Sequence, residues 1–130
     1  MESRLTAILR HATADGRSHH DWLLAAPNTA NPTTALAECW RCPASIVTMP
    51  IDARMTLEAL SPHRGAYLAL DAPIDLSGGR GRVEPVARGL VEEVATGGPA
   101  ATRRFTLRFH GHPAILVQLE GLLLTRVRAF

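Results

Sequence analysis

The sequence predicts a mostly β fold, a small closed or partly open β-barrel of short antiparallel strands with one or two short helices. Three observations lead there. Phe105, Leu107 and Phe109 alternate with Thr106, Arg108 and His110, giving the one apolar and one polar face of a half-buried strand. After the His112-Pro113 turn, Ile115, Val117 and Leu119 alternate again, and Gly121 precedes a third run, LLLTRVRAF. Three successive strands joined by short turns form an antiparallel meander, which buries its apolar face by curling into a barrel or folding as a sandwich.

The earlier elements follow in chain order. Residues 4–10 (RLTAILR) read as a first strand, with one or two helical turns as the alternative. Residues 21–26 (DWLLAA) are a short apolar run, and 27–34 (PNTANPTT) are a loop by their proline and asparagine content. Residues 35–42 (ALAECWRC) form a strand or short helix ended by Pro43. Residues 51–60 (IDARMTLEAL) are the best helix candidate, since Ile51, Met55 and Leu60 fall near one helical face. Residues 67–72 (YLALDA) read as a strand, followed by the glycine-rich turn SGGRG. Residues 82–94 hold two β-like pieces, RVEPVA and LVEEV, broken at Arg88-Gly89, and GGPA at 97–100 is a turn.

A chain of 130 residues fits a single domain, 1–130, and can bury a core without disulfides. Its 46% hydrophobic content is globular, and no run of eighteen apolar residues is present to span a bilayer as a helix. The N-terminal MESRLTAILRH lacks the pattern of a secretory leader, so a cytoplasmic location without membrane attachment is expected. All 14 basic residues are arginine. The guanidinium fork suits phosphate or carboxylate, although a net charge of +2 does not by itself define a nucleic-acid binder. SGGRGR at 77–82 lacks the lysine and following helix of a phosphate-cradling loop, and an ordinary tight turn accounts for its glycines.

The candidate chemistry centres on histidine. His11, His19, His20 and His63 lie in or beside polar turns, with Asp21 next to the pair. In an extended segment His19 and Asp21 share a face, so an imidazole and a carboxylate can meet one divalent ion, with His11 joining them across a hairpin. Such a ligand set suits Mn, Zn or Fe; hydrogen-bonded turn histidines are the competing reading. Cys39 and Cys42 form a single CWRC with no second pair to complete a four-cysteine site, and two partly buried thiols are its simplest reading.

Taken together, ILRH (8–11), HHDWLL (19–24), ECWR (38–41), SPHRGAYLALDAPIDLSGGRGRVEPVARG (61–89) and FHGHPAILVQLEGLLLTRVRAF (109–130) carry a wider resemblance. Their order resembles the phosphoesterase domain of bacterial DNA ligase D, particularly its short stand-alone members, over nearly the whole chain. The resemblance implies a small β-barrel with a cupped active site that processes 3′-terminal phosphates or ribonucleotides on DNA ends. It implies a divalent ion, manganese first and zinc second, held by His11, His19 and Asp21. It also implies a catalytic His63 with Tyr67 just beyond, and a DNA-repair ligase or polymerase as partner.

Two departures accompany it. The family arginine two residues after the aspartate is replaced by Leu23, and His11 and His19 are further apart than in the compact family spacing. Arg54 lies near the position of a second family arginine, before the downstream histidine. Arg54, Arg64 and Arg80 are therefore the candidates to supply the guanidinium missing at Leu23, with Arg64 and Arg80 reaching substrate phosphate. The alternatives are a non-catalytic nucleic-acid or phosphate-binding module, which Leu23 favours, and a structural or interaction barrel.

Overall fold

Alternating apolar residues make strands along most of the chain. The computed structural model describes residues 2–94 and 102–130. In it ten strands form one sheet: β1 (Ser3–Ala12), β2 (Ser18–Leu24), β3 (Leu36–Cys42), β4 (Arg54–Thr56), β5 (Glu58–Arg64), β6 (Ile74–Asp75), β7 (Arg82–Val94), β8 (Thr102–Phe109), β9 (Ile115–Glu120) and β10 (Leu123–Val127). Every pairing is antiparallel. The order is β4-β10-β9-β8-β7-β1-β2-β3-β5, with β6 set on β7. The two edges, β4 and β5, are consecutive in the chain and joined only by Leu57, whose N–H donates to the Leu122 carbonyl. One extended segment thus carries the sheet from one edge to the other, giving the mostly β, partly open barrel that the meander predicts. No helix among the described residues is long and apolar enough to cross a membrane.

Three expectations are corrected. Residues 51–60 are not a helix: Asp52 takes a positive φ of 69°, and β4 and β5 follow. The physical reason is the period-two pattern around Arg54-Met55-Thr56-Leu57, which packs Met55 and Leu57 on the core while Arg54 and Thr56 stay exposed. Residues 67–72 are not a strand, because Gly65–Ala69 form a 3-10 helix instead. A tight turn lays Tyr67, Leu68 and Leu70 together on the sheet, which the alternation of a strand would prevent. Gly65 anchors it, since a Cβ there would lie 2.1 Å from the Pro32 carbonyl oxygen. Residues 82–94 are one strand rather than two, and Gly89 sits where a side chain would collide with the backbone of β8 at Arg108. Helical structure among the described residues is confined to three 3-10 turns, and the GGPA turn lies outside those residues.

The sheet is buried on both faces along β1, β2 and β3. Inside the barrel Trp22 stacks on Trp40 at 4.7 Å between ring centroids and meets Phe105 edge-on, surrounded by Ile8, Leu24, Val91, Leu107, Val117 and Leu124. Trp22 Nε1–H donates to Thr6 Oγ1, and the Thr6 hydroxyl donates to the Leu23 carbonyl, so these buried polar groups are satisfied. Outside, Ala7, Leu9, Leu23, Cys39 and Val83 form a smaller cluster beneath Tyr67, Leu68 and Leu70.

An ion network spans the barrel interior. Arg103 of β8 donates to both carboxylate oxygens of Glu38 on β3, at 2.9 and 3.0 Å, and of Glu93 on β7, at 2.8 and 2.9 Å. Its guanidinium also lies over the Trp40 and Phe105 rings, and Arg4 completes the group on Glu93 at 2.7 Å. These bidentate bonds couple β3 to β8, which share no ladder. Replacing Arg103 by alanine removes the partner of Glu38 and leaves Glu93 with Arg4 alone. It should lower the unfolding free energy by about 2–3 kcal/mol in urea denaturation, below the ~3–5 kcal/mol of a fully buried pair because Arg103 is partly exposed.

The Arg103 hydrogen bonds also hold the Glu93 carboxyl below its ordinary 4.5, against the opposing effect of burial. Glu93 therefore contributes stability that is fully present above pH 4.5 and is lost as pH falls through its lower folded value. The melting-temperature advantage of wild type over Glu93→Gln should shrink as the pH is taken below 4.5.

Candidate metal centre

The β1–β2 hairpin builds the centre. In its register His11 stands opposite His19, and Leu9 opposite Asp21. His19 and Asp21 are two apart on β2, so His11, His19 and Asp21 share the outer face. The long interval between the histidines is absorbed by the loop at 13–17. There Thr13 N–H donates to the Arg17 carbonyl, the Asp15 carboxylate accepts from Arg17 N–H and the Thr13 hydroxyl, and Gly16 takes a positive φ.

The three side chains converge: their candidate ligand atoms lie within 4.8 Å of one another. The His11 and His19 rings meet edge-on with centroids 4.9 Å apart. His19 Nε2 lies 3.2 Å from Asp21 Oδ1, yet the two are not aligned as a hydrogen bond, and among the described residues neither buried atom has a hydrogen-bond partner. Buried polar atoms are rarely left so, and an oriented pair of orphaned ligand atoms fits a divalent ion between them. Burial pushes the His19 pKa down, outweighing Asp21, while Arg41 and His11 push the same way. The imidazole is thereby kept in its neutral, ligating form. His11 Nε2–H donates to the Arg80 carbonyl at 2.8 Å, a second bond that orients the ring and leaves Nδ1 to bind.

This set borders a cleft of about 320 Å³ lined by Leu9, His11, Asp21, Pro62, His63, Arg64, Tyr67, Leu76, Arg80 and Val83. Two bulges aim its walls. Between Cys39↔Leu60 and Ala37↔His63, β5 carries Ser61 and Pro62 against the single residue Glu38 of β3. Without the extra residue His63 would face away from Leu60; with it, both face the cleft side. Between Ile8↔Ala87 and Leu9↔Pro85, Val86 is the extra residue, so Ala87 packs in the barrel while Val83 turns to the cleft. Both bulges contain a proline, which lacks the N–H that a ladder needs.

His63 Nδ1–H donates to the Ser61 carbonyl at 2.9 Å, leaving Nε2 as the acceptor of the neutral ring. The Tyr67 ring lies 6.5 Å from the His63 ring, with the Arg64 guanidinium 5.8 Å above it. Arg80 is tied to Ser77 through Nε and Nη2. Of the residues anticipated from sequence, His11, His19, Asp21, His63, Tyr67, Arg64 and Arg80 are thus brought together.

Arg54 is not: it lies on β4 opposite Thr125 at the other edge of the sheet and does not line the cleft, because residues 54–60 are extended rather than coiled beneath His63. His20 faces the other side of β2, opposite Arg10 and Cys42, and burial lowers its pKa. Cys39 and Cys42 are both free, buried and three apart on β3, so they point to opposite faces and do not form a redox pair. Burial raises both thiol pKa values, Cys42 to about 12, so neither is a thiolate nucleophile on its own.

Cys39 lies within ligand distance of Asp21 and His63, a grouping that the CWRC spacing did not indicate. Cys39 stands opposite Leu23 and Arg41 opposite Asp21, and only the β2–β3 register reveals this. Compared with known proteins, the chain matches no family model and no curated sequence.

Gly81 keeps the centre in place. Its φ is +94°, and a Cβ would lie 2.0 Å from the Ala12 carbonyl oxygen, next to the Arg80 carbonyl that orients His11. Gly81→Ala should cost about 1–3 kcal/mol in denaturant unfolding and shift the His11 imidazole resonances. Unchanged His11 signals would show that the Arg80 carbonyl does not position the ring.

Proposed function

We propose that this chain is a metal-dependent phosphoesterase acting on 3′-phosphate or 3′-ribonucleotide DNA ends. The observation that carries this reading is the orphaned pair His19 Nε2 and Asp21 Oδ1, joined by His11, beside a cleft that His63, Arg64 and Arg80 also line. His11, His19 and Asp21 would hold a divalent ion, Mn first and Zn second, which would supply positive charge near phosphoryl oxygens and lower the pKa of bound water. His63 moves a proton at the leaving oxygen through Nε2, while its Nδ1–H stays on the Ser61 carbonyl. Arg64 and Arg80 grip the phosphate in place of the absent guanidinium at position 23, where Leu23 is fully buried in the outer cluster. Tyr67 holds Arg64 from beneath and borders the His63 ring.

The burial of Leu23 also favours a second reading, a phosphate-binding module without turnover. Calorimetric titration with Mn²⁺ separates these, run on wild type and a His19→Ala, Asp21→Asn double variant, followed by hydrolysis of 3′-phosphorylated DNA. The phosphoesterase reading expects stoichiometric binding that is lost in the double variant. It also expects a fall in rate of about 10²–10⁴-fold in His63→Ala at unchanged Mn²⁺ affinity. Binding of ion and DNA without turnover establishes the module instead. Absence of Mn²⁺ binding to folded wild type refutes the metal reading.

A further inference from the structure

We infer that Cys39, His63 and Asp21 form a second divalent-ion site, bearing a thiolate and suited to Zn²⁺, which shares the Asp21 carboxylate with the His11 and His19 set. It rests on the proposed ion site through Asp21 alone; Cys39 and His63 are not members of that set. The candidate ligand atoms of these three residues also lie within 4.8 Å of one another. They come from three adjacent strands, β2, β3 and β5, and the proline bulge at Ser61-Pro62 turns His63 to the face of the other two.

Two of the three ligands, Asp21 and His63, are disposed to receive an ion. Asp21 is 6% exposed, and its Oδ1 lacks a hydrogen-bond partner among the described residues, with the His19 imidazole 3.2 Å away as its near neighbour. His63 gives its Nδ1 proton to the Ser61 carbonyl, a bond that fixes the ring and directs the Nε2 lone pair outward, as partners of metal-bound histidines do. Cys39 is 3% exposed and brings a soft sulfur donor to the group. Imidazole, carboxylate and thiolate make three ligands, one short of a tetrahedral Zn²⁺ shell, and Asp21 and His63 also line the cleft.

On binding, the Cys39 S–H bond breaks, its proton passes to solvent and a sulfur–zinc bond forms, with no change of oxidation state. The thiolate sets this site apart from the first, whose nitrogen and oxygen ligands also accept harder ions. Because His63 Nε2 is the atom assigned to proton transfer, Zn²⁺ bound here withdraws it. Zinc then inhibits hydrolysis supported by Mn²⁺.

Co²⁺ is the probe, since a thiolate ligand gives it a near-ultraviolet charge-transfer absorption. Titration of the full chain should produce that band to saturation. The band should be lost in Cys39→Ser but retained in Cys42→Ser, whose sulfur lies on the opposite face, and in a His11→Ala, His19→Ala variant. Zinc-edge X-ray absorption of the wild type needs no variant and should show a sulfur neighbour. A shell of nitrogen and oxygen only, or a band that survives Cys39→Ser, overturns the inference. Co²⁺ binding without the band removes this site and leaves the His11 set standing, whereas failure of wild type to bind any ion removes both.

Discussion

The cleft depends on the pleat of β1, β2 and β3 being buried on both sides. Where each face of a strand has its own core, residue parity has only two outcomes, barrel interior or outer cluster, and slipping by one residue would exchange Trp22 for Leu23 and Asp21 for His20. The stacked Trp22 and Trp40 rings oppose such a slip, because the space beside Phe105 accepts them and the outer face does not offer it. Asp21 is consequently held on the outer face, under the 3-10 turn at Gly65–Ala69 and beside the cleft. The orphaned ligand atoms are thus maintained by apolar packing on the opposite side of the same strands.

The arginines divide between architecture and chemistry. Arg4 and Arg103 join the carboxylates of Glu38 and Glu93 inside the barrel, while Arg126 caps the Met49 carbonyl at 2.6 Å and Arg104 donates to Gln118. A lysine at 103 would not serve, since one ammonium cannot offer planar pairs of donors to two carboxylates and cover two rings. This network matters because the barrel is partly open: with no ladder between β3 and β8, the guanidinium supplies the cross-barrel connection. Arg64 and Arg80 remain at the cleft, where the proposed function assigns them to phosphate.

Placing Asp21 between two ligand sets couples the chemistry proposed for them. The same carboxylate faces His11 and His19 along the hairpin, and Cys39 and His63 across β3 and β5. Under those proposals an ion drawn to the thiolate would compete for the residue that the first set needs and would occupy the histidine assigned to proton transfer.

Much of this was legible along the chain, and the failures share a cause. Alternation at 105–119 and the hairpin pairing of His11 with His19 and Asp21 are local properties, because a period of two places i and i+2 on one face wherever the strand lies. Residues 51–60 misled because three apolar residues fit a loose helical spacing, while the shorter alternation ending at Leu57 met the core. Residues 67–72 misled because a short apolar run serves a strand or a tight turn equally until a surface exists for it to cover. The facing of His63, the separation of Cys39 from Cys42 and the distance of Arg54 from the cleft needed more. By itself the sequence determined the β class, the apolar alternation and the hairpin juxtaposition of His11 with His19 and Asp21, since these follow from nearest-neighbour geometry. Only the tertiary structure decided which strands adjoin, where the two proline bulges reverse parity and that Cys39 and His63 share Asp21, because register between distant strands is set by the packing of both faces at once.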